Sequence, residues 1–273
     1  MLAAMKKTYD IDCELNYDVH TPTTMVFKIE AALTPEQTIA YESVVVAPHV
    51  TIGRHTDALG NRTLRVNPRI EPFSIRYRAT VNVNRPVPRE ALSETDVAEL
   101  PLDVLPYLAG SRYVESELFF HDAVRWIGTF DRGRARVERI CQWVRDNVRY
   151  QVGTSIPYGT TRDVLATRTG VCRDYAHVAI ALCRALNIPA RFVVGHVMWD
   201  RPPPDFHALF EAWLDGQWVL FDPTQMADPS DVIRIGTGHD AADLPFATIF
   251  GSATMTRMSP LVFEAMHECC EAA

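Results

Sequence analysis

The chain has 273 residues, 47% of them hydrophobic, and 27 Lys and Arg against 34 Asp and Glu give a net charge of -7 and a pI of about 5.7. This balance excludes intrinsic disorder and collagen-like or low-complexity arrays. It also argues against a general nucleic-acid binder, which needs surplus Lys and Arg to displace counterions.

Met1 to Asp18 lacks the apolar run of a signal peptide, and no stretch approaches the about 18 uninterrupted apolar residues of a membrane span. Six cysteines are too sparse for a disulfide framework. The expected setting is reducing and cytoplasmic.

Residues 7–85 hold short alternating segments: Met25 to Glu30, Glu42 to Val46, Arg62 to Val66 and Phe73 to Val81. Period-two alternation marks half-buried strands. Pro48, Gly53, Pro68, Pro72 and the Gly60-Asn61 pair punctuate them at the spacing of an antiparallel sandwich, so residues 1–85 are expected to form an N-terminal β-sandwich domain. Pro86, Pro88, Pro101 and Pro106 predict a linker with short helical turns over 86–114, leaving 115–273 as a second, catalytic domain.

In that domain Val137, Ile140, Cys141 and Val144 fall at helical spacing and predict a helix over 134–147. A second helix is expected from Cys172 to Leu186, with Ala176, Ala179, Ile180 and Cys183 on one face and an end signal at Asn187 and Pro189. A strand over 190–197 follows. After Arg201-Pro202-Pro203-Pro204 come two more, 206–214 and 217–222, joined by Asp215-Gly216, the dipeptide favoured in two-residue hairpins. A helix feeding an antiparallel sheet is an α+β arrangement.

The chemistry gathers around the hairpin. If Asp215-Gly216 forms a two-residue turn, Leu214 pairs with Gln217 and Asp222 falls opposite Leu209. His207 lies on the face of Leu209. His207 and Asp222 are then diagonal neighbours roughly 7–8 Å apart at the backbone, a gap that an imidazole and a carboxylate bridge. Cys172 opens a helix, where the positive end of the dipole and free N–H groups favour a thiolate. A thiol, a base and a carboxylate that orients the base are the parts of nucleophilic catalysis.

Other residues carry blander readings. Asp174 is expected to partner the helix dipole, and His177 to pack. His196 is either structural or turned into the cleft. The backbone N–H of Cys172 is the natural first oxyanion donor, with Tyr150 or Gln151 as the second. Cys172, His196 and His207 could in principle hold zinc, but no Cys-x-x-Cys or His-x-x-x-His spacing is present and Cys269-Cys270 are adjacent, so no metal is expected. No calcium loop is found, and no cofactor is implied.

Thr169-Gly170-Val171-Cys172-Arg173-Asp174-Tyr175-Ala176, Leu186 to Arg191, Phe206-His207-Ala208 and Trp218 to Thr224 together resemble the transglutaminase-like superfamily. The match is closest to bacterial two-domain members with an N-terminal β region. Residues 105–113 and Gly238 to Asp243 resemble that subgroup more weakly. The resemblance implies a papain-like core with Cys172 as nucleophile, His207 as base and then acid, and Asp222 as orienter. Leu209 stands where the family often has tryptophan, and His239 where arginine is frequent.

The expected activity is thiol-dependent acyl transfer that cleaves an amide, peptide or isopeptide bond of a protein or peptide, with water as acceptor. The alternatives are an amine acceptor, which would make a transglutaminase, and a non-catalytic protein-binding module on the same fold.

Overall fold

The computed structural model describes residues 5–85, 89–199 and 204–265. Cys269-Cys270 and the Pro202-Pro203 pair lie outside the described residues. The N-terminal region comprises β1 (Met5–Val19), β2 (Thr24–Phe27), β3 (Gln37–Ala47), β4 (Gly53–Thr56), β5 (Arg62–Val66) and β6 (Pro72–Arg85). Along β1, Tyr9, Ile11, Cys13, Leu15 and Tyr17 are buried, as a strand packed on one face requires. Phe73, Ile75, Tyr77, Val81 and Val83 on β6 do the same. Each such side chain taken fully from water contributes about 1.5–3 kcal/mol. The rings of Tyr17 and Phe27 meet at 5.8 Å between the two sheets.

Both sheets are completed from the far end of the chain. Strands β13 (Ala247–Phe250) and β14 (Ala253–Glu264) pair antiparallel with β2 and β1, giving sheet orders β14-β1-β6-β3 and β13-β2-β5-β4. Residues 247–264, expected within the second domain, therefore belong to the sandwich. The reason is edge pairing: β1 and β2 would otherwise each present a free row of backbone donors and acceptors.

Between them lies the α+β core. After single 3-10 turns at Val97–Glu99, Leu105–Leu108 and Ser116–Leu118 come α1 (Phe120–Ile127), α2 (Arg134–Asn147), the short β7 (Arg149–Tyr150), α3 (Thr161–Thr167), β8 (Thr169–Gly170) and α4 (Cys172–Ala185). The core sheet has the order β11-β10-β9-β12, from β9 (Ala190–His196), β10 (His207–Leu214), β11 (Gln217–Phe221) and β12 (Ile233–Gly238). Helix α4 packs on β9 and β10, joining Phe192, Val194, Ala208, Phe210 and Ala212 in one core. Val193, Leu209 and Leu220 form a smaller cluster with Val197 and Val232. Strand β10 is thus buried on both faces.

The 89–118 segment docks on this core. Arg184, buried on α4, donates to the carbonyls of Ala109, Ala190 and His239 and to Ser111. Asp240 accepts the Tyr113 N–H at 2.8 Å, and His239 stacks on Tyr107 at 4.8 Å. The two weaker sequence signatures, 105–113 and 238–243, hold one another.

Candidate active site

The hairpin has the register its turn dipeptide dictates. Asp215 and Gly216 both take positive φ, 52° and 76°, the pair of values that a type I′ turn needs. Leu214 pairs with Gln217 and Phe210 with Phe221. Asp222 follows at the end of β11, and His207 Nε2 donates to its Oδ2 at 2.9 Å. Both are buried.

Asp222 is held from several directions. Oδ1 accepts from the backbone and hydroxyl of Thr224 at 2.8 and 2.7 Å, and Oδ2 from the N–H groups of Met226 and Ala227 at 3.0 and 2.9 Å. Burial alone would raise its pKa, but His207 and these donors hold it below the usual carboxylate value. Burial likewise opposes the charged imidazole, yet the Asp222 hydrogen bond and the neighbouring Cys172 thiol outweigh it and lift the His207 pKa to about 10. His207 Nδ1 has no hydrogen-bond partner. The indole of Trp199 stands edge-on to the ring at 5.3 Å.

Cys172 is the first residue of α4, half-buried with a free thiol. The turn before it is built by Asp174, whose Oδ2 folds back to accept the Val171 N–H at 3.0 Å, one half of a capping box. Gly170 permits this: a Cβ there would lie 2.6 Å from Asp174 Cβ. Arg173 donates to Ser155 Oγ and the Ile156 carbonyl, each at 2.7 Å, fixing the loop after β7 beside the cysteine.

Strand β7 pairs in parallel with β8, Tyr150 beside Gly170. This sets Tyr150 beside Cys172, where burial, followed by the Cys172 sulfur, pushes the phenol well above its ordinary pKa. Gln151 is exposed and its Oε1 accepts from Arg149. Of the two sequence candidates for a second donor, only Tyr150 reaches the site.

Other candidates are drawn off. His196 Nε2 bonds the Ile29 carbonyl at 2.8 Å, facing the sandwich rather than the cleft. Cys172, His196 and His207 are therefore not gathered as zinc ligands. His177 packs against Tyr113 and Phe192 and accepts the Ala241 N–H at 3.2 Å. Leu209 is fully buried in the small cluster on which Trp199 packs. A groove of about 830 Å³ between α2 and residues 220–229 reaches Asp222, but neither Cys172 nor His207 lines it.

A helix-opening thiol, a buried histidine with one free nitrogen and a carboxylate on a papain-like core define a class. Residues 124–223 match the model of the Transglutaminase-like superfamily, and residues 5–103 that of the Bacterial transglutaminase, N-terminal domain. A Cytophaga hutchinsonii protein described as a "Putative Cysteine Protease" superposes with a TM-score of 0.91 at 36% identity, over 96% of this chain and 91% of that one. The chain belongs to the transglutaminase-like superfamily.

Among curated proteins, an uncharacterized Mycobacterium leprae protein is 29% identical over 47% of this chain and 49% of its own length. An uncharacterized Mycobacterium tuberculosis protein is 33% identical over 35% of each. The chain spans at most about half the length of these two relatives.

Proposed function

We propose that the protein is a cysteine peptidase or amide hydrolase working through Cys172, His207 and Asp222. The observation that carries this reading is the committed geometry of His207. Nε2 is bound to Asp222, while the unpartnered Nδ1 is left for the neighbouring sulfur and for a departing amine.

In this reading the Cys172 thiol gives its proton to His207 Nδ1, the sulfur attacks the amide carbonyl and a carbon–sulfur bond forms. The charge that develops on oxygen is met by the Cys172 N–H and the Tyr150 hydroxyl. His207 passes its Nδ1 proton to the departing nitrogen as the carbon–nitrogen bond breaks. Water then gives a proton to Nδ1 and attacks the acyl-enzyme, and the carbon–sulfur bond breaks. Asp222 keeps the ring in the tautomer and orientation that present Nδ1.

A sulfur nucleophile works only while reduced, which favours a reducing, cytoplasmic setting. Among the described residues no helix is long and apolar enough to cross a membrane.

The test is mass spectrometry of the protein incubated with a peptide library, with and without a primary amine. An acyl adduct on Cys172 that decays to free acid supports the hydrolase; diversion of most acyl groups to the amine would instead make it a transferase. Turnover undiminished in Cys172→Ala would exclude both.

A further inference from the structure

Asp222 orients His207 only while its own donors stay in place, and two of them come from further along the chain. The amides of Met226 and Ala227 reach its Oδ2 at 3.0 and 2.9 Å, so the course of residues 223–232 sets where the carboxylate points. Within that stretch the bends are local. Gln225 takes a positive φ of 58°, and Asp228 caps a single 3-10 turn, Pro229–Asp231, its Oδ1 accepting the Ser230 N–H at 2.8 Å.

The far end of the stretch is held by the N-terminal sandwich. Arg85, the last residue of β6, donates to the Pro229 carbonyl and, at 3.2 Å, to the Val232 carbonyl. Lys7 on β1 pairs with Asp231 at 2.6 Å. Among the described residues no Asp or Glu forms an ion pair with Arg85, so its guanidinium serves the carbonyls of this turn rather than a counter-ion. Toward α2 the stretch faces the groove of about 830 Å³. Among the described residues α2 gives it one hydrogen bond, from Arg145 to the Pro223 carbonyl at 3.3 Å. Ala227 and Val232 also pack in the small cluster with Leu209 and Leu220, but apolar packing is non-directional, whereas hydrogen bonds fix the direction of a peptide group.

The Pro229 carbonyl that Arg85 grips is in the second residue after Ala227, so a shift of the turn is passed directly to the amides on Asp222. Displacing a catalytic group by about 1 Å can cost about 10²-fold in rate. We propose that the sandwich completes the catalytic apparatus, with Arg85 as the residue that positions the Met226 and Ala227 amides and, through them, Asp222. The inference rests on the Cys172, His207 and Asp222 reading above and holds whether water or an amine accepts the acyl group.

The test follows steady-state turnover of the library peptide that wild type consumes fastest, across a pH series, in full-length wild type, Arg85→Met and Asn61→Ala. Arg85→Met keeps most of the side-chain length and removes the donors. Asn61→Ala is the control for a weakened seam between sandwich and core: Asn61 bonds the Thr237 carbonyl and N–H at 2.9 and 2.8 Å, at the other end of β12. Arg85→Met should lower kcat about tenfold with KM nearly unchanged. Its alkaline limb should move down by about one pH unit, because His207 loses part of the support of Asp222. Asn61→Ala should lower the melting temperature and leave kcat and the limb at wild-type values. Arg85→Lys, which cannot fork between the two carbonyls, should show both changes at smaller size and serves if Arg85→Met does not fold. Wild-type kcat and alkaline limb in the folded Arg85 variants would overturn the inference and leave the triad standing. So would equal changes in Arg85→Met and Asn61→Ala, since Arg85 would then act only through the stability of the seam. Turnover that survives in Cys172→Ala would overturn the triad reading and this inference with it.

Discussion

The end of β9 and the start of β10 carry two buried histidines that make the same bonds in outline and behave oppositely. In each, Nε2 has one partner and Nδ1 has none. His196 faces a neutral carbonyl, so burial dominates and drives its pKa down to about 4. His207 faces a carboxylate and a thiol, which overcome burial and raise it to about 10. An unpaired ring nitrogen is therefore no mark of a catalytic residue by itself. What separates the two is the charge of the bonded partner and the group that lies next to the free nitrogen.

The sharpest way to break this comparison is to remove each imidazole. His207→Asn should lower kcat/KM by about 10⁴-fold, near the upper range for loss of a general acid–base. His196→Asn should keep kcat/KM close to wild type while lowering the melting temperature. Steady-state rates and a thermal melt on both proteins check it; equal losses of activity would erase the distinction.

The next variant removes the charge of the bonded partner. In Asp222→Asn one oxygen becomes an NH₂ that cannot accept from Met226 and Ala227 while also serving His207. The imidazole loses its strongest charged support, so the alkaline limb of the rate profile should move down from about 10 toward the ordinary histidine value. The rate at neutral pH should fall by about 10³-fold. A pH–rate series reads both. Smaller again is Tyr150→Phe, which removes one of the two proposed oxyanion donors and should cost about 10²-fold in kcat with little change in KM.

How far these groups are legible in the sequence depends on how locally each is fixed. The His207–Asp222 pair is legible because a two-residue turn sets the register of the whole hairpin, and Cys172 because a helix start is a local signal. Tyr150 is narrowed only to one of two residues, since its place depends on a parallel pairing between β7 and β8, which are joined through α3. His196 is ambiguous for a similar reason. His207 pairs with Gly195, so His196 falls on the opposite face, but the long connection from β9 to β10 lets no turn rule set that parity. The return of β14 to the sandwich leaves almost no trace, because most of that strand is exposed or half-buried and lacks clean alternation. Its partner β1 lies at the other end of the chain.

The smallest predicted effect concerns stability, and the two histidines differ in sign. His196 has a folded pKa below its unfolded value of about 6.5, so the stability it confers is complete above that value and is lost as pH falls through about 4. For His207 the folded value is the higher one, and its contribution is complete below about 6.5 and lost as pH rises through about 10. His196→Gln keeps a donor for the Ile29 carbonyl but does not titrate. Between neutral pH and about pH 5 it should lose less stability than wild type by ~2 kcal/mol, the linkage expected for one buried histidine. His177, whose pKa burial lowers to about 3, still titrates in the variant, so its acid slope should flatten without vanishing. Denaturant melts across that range measure the slope, and parallel curves for the two proteins would mean that His196 takes up its proton as readily in the folded state as in the unfolded chain.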